Sequence, residues 1–138
     1  MIEEDYVSFE TAKLLKEKGF DEPTTKSYYT TGFENPMIFS HDLLPCIRLD
    51  EFLCPTHQMV MKWLREEHNL FVSIYTFDYQ FDSYGWMFLI KPLRYTEGIG
   101  WCWDTDHVQE KKWSNDKVYK TYEEACEGAI QHCLENLV

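Results

Sequence analysis

The clearest periodic pattern lies near the C-terminal end of the chain. Counted from Tyr122, every position on one side of a helix with 3.6 residues per turn is apolar or aromatic, and the intervening positions are mostly acidic or amide residues. The stripe consists of Tyr122, Ala125, Cys126, Ala129, Ile130, Cys133, Leu134 and Leu137. Thr121 followed by Glu124 has the spacing of a capping box. The pattern predicts an amphipathic helix over residues 122–137.

Two further helices are predicted upstream. Ser8 is a suitable N-cap for a short first helix, which Gly19 would end in the left-handed conformation while Phe20 packs back on its last turn. Thr56 would cap a second helix, and Asn69 would end it. The apolar stripe of this second helix is Met59, Val60, Trp63 and Leu64.

After residue 69 the period changes from that of a helix to that of a strand. Residues 70–81 alternate, with Phe71, Ser73, Tyr75, Phe77, Tyr79 and Phe81 on one face and Val72, Ile74 and Thr76 on the other. Turn-forming residues at 82–85 predict a hairpin whose return strand covers residues 86–91, where Pro92 ends the strand or marks an edge. Shorter strands are predicted at residues 101–103 and 117–119.

The order of these elements predicts an α+β fold. Strands that follow one another through short turns pair antiparallel, so we expect one small meander sheet of three to four strands packed against two longer helices and a short N-terminal helix. The small side chains of the closing helix would let it approach a sheet rich in bulky aromatic residues. Residues 21–55 are the least periodic part of the chain, and one or two short strands are expected there. A length of 138 residues favours a single domain over 1–138.

Composition and charge disfavour several classes of function. Apolar residues make up 44% of the chain, and its net charge of −11 is spread evenly over both halves. Without a basic patch, direct binding of nucleic acid is disfavoured. The longest apolar run, residues 86–90, is far shorter than the roughly 20 residues of a membrane helix. A secretory signal begins with basic residues followed by apolar ones, whereas the first residues here are acidic, so we expect no secretory signal and a cytoplasmic location. The short apolar run predicts no membrane association.

Several groups of cysteine, histidine and carboxylate residues invite a chemical interpretation. Residues 102–107 bring Cys102, Asp104, Asp106 and His107 together, but they lack the ligand spacing of known metal motifs, so a polar loop is favoured. Helical geometry places Cys126 and Cys133 on the buried stripe and directs His132 away from it.

The remaining histidines and cysteines show no catalytic pattern either. His57 and His68 lie at opposite ends of the second helix. Cys46 or Cys54 with His41 or His57 would be needed for thiol chemistry, and nothing in their neighbourhood activates a cysteine. The sequence therefore assigns no catalytic residue, no metal site and no cofactor.

Aromatic residues are in excess, at 17% of the chain. The candidate interaction surface consists of Tyr75, Phe77, Tyr79, Trp86, Trp101 and Trp103. Exposed tyrosine and tryptophan side chains dominate the binding energy of protein interfaces. The alternative, common for such residues, is a sheet that is covered on both faces, one by each long helix.

Three segments resemble a group of small uncharacterised proteins of Bacteroides-type gut bacteria and their prophages and mobile elements. They are residues 6–10 (YVSFE) with 12–21 (AKLLKEKGFD), residues 55–59 (PTHQM) with 61–66 (MKWLRE), and residues 122–127 (YEEACE) with 133–137 (CLENL). They cover about a third of the chain, in its helical parts. The group has no established activity, so the resemblance implies an origin and transfers no site residue.

These observations lead to three hypotheses about function. The first is a non-enzymatic accessory protein of a phage or mobile element that binds an unidentified protein partner. The second is an acidic mimic of nucleic acid that inhibits a host defence protein, although a mimic should concentrate its carboxylates in a line. The third is a small enzyme with a Cys/His site, which the lack of a catalytic constellation disfavours.

Overall fold

The computed structural model describes residues 2–30, 35–40, 51–79, 83–103 and 113–138, with the side chains at 77–79 and 83–84 excepted. These residues form an α+β structure, as predicted, with three helices and two three-stranded antiparallel sheets. They fall into two compact units, residues 1–57 and 58–138. The single domain expected from the chain length stays a prediction.

The first unit contains α1 (Phe9–Glu17), β1 (Lys26–Tyr29), β2 (Met37–Ser40) and β3 (Glu51–Leu53). The strands form an antiparallel sheet in the order β2-β1-β3. Helix α1 packs on this sheet through Phe9, whose ring makes edge contacts with Tyr28 and Phe52 at centroid distances of 5.6 and 5.3 Å. The opposite face buries a polar pair, because Ser27 Oγ donates a 2.7 Å hydrogen bond to the carboxylate of Glu51.

Both ends of α1 have the residues that the sequence predicted. The hydroxyl oxygen of Ser8 accepts a hydrogen bond from the backbone N–H of Thr11 at 3.3 Å. Gly19 takes the left-handed conformation with φ at +87°, and Phe20 is buried while its N–H donates back to the carbonyl of Leu15. Capping at the start and a left-handed glycine at the end therefore set the length of this helix.

The second unit contains most of α2 (His57–His68), then β4 (Leu70–Tyr79), β5 (Ser83–Thr96), β6 (Gly100–Trp103) and α3 (Tyr122–Asn136). The three strands form an antiparallel meander in the order β4-β5-β6. Asn69, with φ at +55°, joins α2 to β4 in one left-handed residue, as predicted. The structure has three helices, of which α1 is the shortest, so the predicted two longer helices and short N-terminal helix are roughly matched.

Three features of the sheets differ from the prediction. Instead of one sheet there are two, because the segment without clear period contributes three short strands to a sheet of its own. Strand β5 does not end at Pro92 but continues to Thr96. The predicted strand at residues 117–119 is reduced to a single antiparallel bridge, in which Tyr119 exchanges both backbone hydrogen bonds with Trp86 at 2.7 and 2.8 Å.

The backbone geometry explains why Pro92 is tolerated inside a strand. The N–H of Leu93 donates to the carbonyl of Asn69, on the β4 side, so the nitrogen of Pro92 points to the other side of β5. On that side β6 pairs only with residues 93–96 of β5. The proline therefore removes no hydrogen bond from the described sheet.

Helix α3 packs against β4 and β5. Six residues of its stripe are fully buried, namely Ala125, Cys126, Ala129, Ile130, Cys133 and Leu134. The sheet face beneath contains the buried side chains of Phe88 and Ile90. Thr121 accepts a hydrogen bond from the N–H of Glu124, but the carboxylate of Glu124 accepts from Lys120 rather than from Thr121, so only half of the predicted capping box forms.

Candidate functional site: the outer face of the second sheet

The face of the second sheet opposite α3 carries a set of exposed aromatic side chains. Cross-strand partners in an antiparallel sheet lie on the same face, so the pairing places the following residues together: Phe71, Ser73 and Tyr75 of β4, Met87, Leu89, Lys91, Leu93 and Tyr95 of β5, and Trp101 and Trp103 of β6. We call these residues the outer face. Phe88 and His132 are in ring contact on the side that α3 covers, which confirms that even-numbered β5 residues face the helix.

The aromatic rings of the outer face are exposed. Tyr95 and Trp101 are 61% and 60% exposed, Tyr75 is 40% exposed, and Phe71 and Trp103 are each 38% exposed. The aliphatic residues between them are half-buried. When a ring residue is counted at roughly 200 Å², the exposed aromatic surface is about 500 Å², within the range of the largest apolar patch on a typical monomer. Such patches are often functional.

Contacts within the outer face hold several of its rings in place. Tyr95 and Trp101 are cross-strand partners, and their rings meet edge to face at a centroid distance of 5.6 Å. The ammonium group of Lys91 lies 5.5 Å from the ring centroid of Trp103, a cation–π arrangement. The hydroxyl of Tyr75 donates to the sulfur of Met87 at 3.9 Å. These contacts reduce the conformational entropy that the side chains would lose on binding.

Three of the six predicted surface residues, Tyr75, Trp101 and Trp103, share the outer face. Trp86 does not, because its pairing with Thr76 directs it to the opposite face, where its ring contacts Tyr122 of α3 at 5.5 Å. The side chains of Phe77 and Tyr79 lie outside the described residues, although their backbone continues β4.

Sequence reasoning missed Tyr95, the most exposed ring of the outer face. The predicted return strand covers residues 86–91 only, which leaves residues 93–96 outside the predicted sheet. The signal was present, because Leu93 and Tyr95 continue the odd-numbered alternation of Met87, Leu89 and Lys91. A strand that contains proline at an edge position keeps its alternation on both sides of that residue.

The cysteines that the sequence offers as candidates for chemistry lie in different parts of the structure. Cys102 lies on the side of β6 opposite Trp101, with its sulfur 3.5 Å from the carbonyl of Arg94 and 3.6 Å from the hydroxyl of Thr96. Cys54 donates to the carbonyl of Val7. Burial raises the pKa of Cys133 to about 12, so it is a neutral thiol at pH 7.

The histidines also take structural positions. His132 does not face away, as the helical pattern indicated, but lies half-buried with its ring 5.5 Å from that of Phe88. His57 is buried, and the ring of His68 meets that of Trp63 at 4.6 Å. His41, Cys46, Asp104, Asp106 and His107 lie outside the described residues.

Across the described ranges, no group of three histidine, cysteine, aspartate or glutamate residues is arranged to hold a metal ion. In the same part of the chain, every helix is too short or too polar to cross a bilayer.

The chain matches no protein-family model, no curated protein and no solved structure. The resemblance in the helical segments therefore stays an expectation, and the geometry of the outer face carries the functional argument.

Proposed function

We propose that this protein is a non-enzymatic accessory protein that binds another protein through the outer face of its second sheet. The observation that carries the proposal is the group of five exposed aromatic residues on one sheet face, with α3 covering the other face. An origin in a phage or mobile element, which the helical resemblance implies, belongs to the same proposal.

The arrangement of residues supports a binding role better than a stabilising one. The helix-covered face already supplies the buried side chains of this sheet, including Phe88 and Ile90. Tyr95 and Trp101 leave about three-fifths of their surface to solvent, so they bury little area in the unbound protein. Tyrosine and tryptophan provide large contact areas with few rotatable bonds, which is why they dominate interface energies.

Charge on the outer face restricts the chemistry of the partner. Lys91 is the single charged residue among the described residues of this face, while the chain as a whole has a net charge of −11. A stacking platform for nucleic acid would need several basic residues along the phosphate path. A partner with an apolar surface would match the largely uncharged outer face, and a neutral or basic rim on that partner would match the acidic remainder of this chain.

Size determines how much of the interface this face supplies. Stable complexes bury about 800 Å² on each partner, and the exposed rings account for about 500 Å² of that. The outer face would therefore form the apolar centre of an interface, and neighbouring polar residues would form its rim. The residues expected to contribute most are Tyr95, Trp101 and Trp103.

Site-specific photocrosslinking in the bacterial host cell tests the proposal. A photoreactive phenylalanine analogue at position 95 should capture a defined protein, whereas the same analogue at exposed position 62 on α2 should not. The Trp101→Ser/Trp103→Ser variant should reduce capture at least tenfold, since the loss of a single such anchor already costs about 1.4 kcal/mol or more.

Ile99→Ser is the matched control. It removes an apolar side chain that is 77% exposed at the β5–β6 turn, two residues from Trp101 and outside the outer face. It should leave capture unchanged. Equal capture from positions 95 and 62, or full capture by the double tryptophan variant with a native circular dichroism spectrum, would refute the proposal.

A further inference from the structure

Strand β4 forms one edge of the second sheet. It pairs with β5 along all ten of its residues, and no described strand pairs with its other side. The backbone N–H and C=O of Trp86 in β5 both bond to Tyr119, on the side of β5 away from β4. Trp86 and its β4 partner Thr76 therefore form a non-hydrogen-bonded pair. The even-numbered residues of β4 therefore direct their N–H and C=O groups away from β5, toward the edge. These residues are Leu70, Val72, Ile74, Thr76 and Asp78.

This edge lacks the features that usually prevent strand addition. Proteins protect exposed edges with lysine, proline, bulges or very short strands. Strand β4 is ten residues long and contains no lysine, proline or glycine, and Asp78 is its single charged residue. The edge of β5 that faces away from β4 is protected, in contrast to the β4 edge. It carries the bridge to Tyr119, Pro92 and the paired strand β6.

We propose that the β4 edge pairs antiparallel with the β4 edge of a second copy of this chain, forming a two-fold symmetric dimer with a continuous six-stranded sheet. An antiparallel edge strand is complementary to itself, since each outward N–H meets an outward C=O across the two-fold axis. Pairing centred on Ile74 would use the outward groups of residues 70–78 and place Thr76 opposite Val72 of the second copy. No like-charged residues would face each other in that register.

A second copy fits this edge in length and in side-chain chemistry. The two strands match in length by symmetry, and in this register the one charged residue, Asp78, is paired with Leu70 of the second copy, while all the other paired residues are uncharged. Nine paired residues span about 30 Å at 3.3–3.4 Å per residue. An edge of that length and roughly 10 Å thick buries on the order of 600 Å² in total, below the size of a standard stable interface. The dimer should therefore be weak and dissociate on dilution.

Dimerisation would extend the outer face and so goes beyond the proposed function. Phe71 and Tyr75 lie on β4, so the outer faces of two copies would meet along the new strand pair. One assembly would present two sets of anchors, each containing Tyr95, Trp101 and Trp103. Two linked binding surfaces raise the apparent affinity for a partner that has two matching sites.

Sedimentation velocity on the full chain tests the dimer. We expect a reversible monomer–dimer equilibrium between low micromolar and several hundred micromolar protein. Thr76→Pro removes an outward N–H and leaves the hydrogen bonds to β5 intact, so it should raise the dimer dissociation constant at least about tenfold. Thr76→Ala keeps the N–H and should leave the constant nearly unchanged. Native far-UV circular dichroism of both variants establishes that the monomer is folded.

Ionic strength gives a second, independent readout. Two copies that each carry a net charge of −11 repel one another, so added sodium chloride should strengthen the dimer by screening. If the protein is a monomer at every concentration, the proposal is overturned, even if the β4 edge binds a strand of another protein. A dimer that Thr76→Pro leaves unchanged also overturns it. Photocrosslinking from position 95 tests partner binding and does not depend on the dimer. The dimer and the proposed partner binding can therefore fail independently.

Discussion

A close approach between α3 and the ring of Tyr119 gives a discriminating stability test. Gly128 lies in the middle of α3, under the ring of Tyr119. A Cβ at position 128 would overlap the phenol oxygen and Cζ of that ring. Tyr119 cannot move easily, because its backbone is bonded to Trp86, its ring lies against Phe88 and its hydroxyl accepts from Asn115 at 2.9 Å. The ring and the glycine therefore occupy complementary positions.

Gly128→Ala separates two opposing effects. In a helix interior, alanine is more favourable than glycine by about 1 kcal/mol. Overlap with a well-packed ring costs about 1–3 kcal/mol. We expect the overlap to dominate, so that Gly128→Ala lowers the free energy of unfolding by up to about 2 kcal/mol. In a Tyr119→Ala background the ring is absent, and the same substitution should raise it by about 1 kcal/mol.

Urea denaturation of the four proteins, followed by far-UV circular dichroism and tryptophan fluorescence, measures this double-mutant cycle. The expected coupling between positions 119 and 128 is about 1–3 kcal/mol. A wild-type background in which Gly128→Ala stabilises the protein by about 1 kcal/mol would show that Tyr119 does not press on α3. Equal effects of Gly128→Ala in both backgrounds would lead to the same conclusion.

Two further predictions concern α3. Burial raises the pKa of Cys133 from 9.0 to about 12, so the unfolded chain loses the thiol proton at a lower pH than the folded chain does. The contribution of this thiol to the free energy of unfolding is therefore complete below pH 9. It is lost as pH rises toward 12, by about 1.4 kcal/mol per pH unit. Urea titrations across this range should therefore show a shallower decline for Cys133→Ala than for the wild type, and equal slopes would contradict the burial of the thiol. Thr121→Ala removes the oxygen that accepts from the N–H of Glu124 and should cost about 1 kcal/mol, whereas Thr121→Ser should cost much less; equal losses measured by thermal unfolding would exclude the cap.

Local patterns predicted the helices well because their signals are contained within a few residues. Ser8, Gly19, Asn69 and Thr121 each occupy the predicted terminal position, since capping and left-handed conformations depend on the residue itself and its near neighbours. The stripe of α3 is buried at every predicted position except the two ends, where Tyr122 and Leu137 are partly exposed. Periodicity over fifteen residues was sufficient for this result.

Long-range pairing was not predictable in the same way. Strands β1, β2 and β3 have four, four and three residues, and β3 lies more than twenty residues after β1 in sequence. Such short segments carry too few alternating positions for a period to be read, and their pairing depends on chain closure rather than on local pattern. The sequence therefore does not predict the first sheet.

The candidate surface was partly predictable for a related reason. Alternation placed Tyr75 on a face, but it could not decide whether that face was covered. The position of Trp86 depends on the hairpin register, which pairs it with Thr76. One residue of offset reverses the face of every side chain in a strand. Burial on two faces of a sheet therefore has to be determined from tertiary structure.

The division of the second sheet into a helix-covered face and an outer face separates two kinds of selection. Residues such as Phe88 and Ala129 are buried, so most substitutions there would destabilise the folded state. Tyr95 and Trp101 bury little in the free molecule, so they are able to change without crossing a stability threshold. A lineage carrying this scaffold would thus be able to exchange one binding partner for another through folded intermediates.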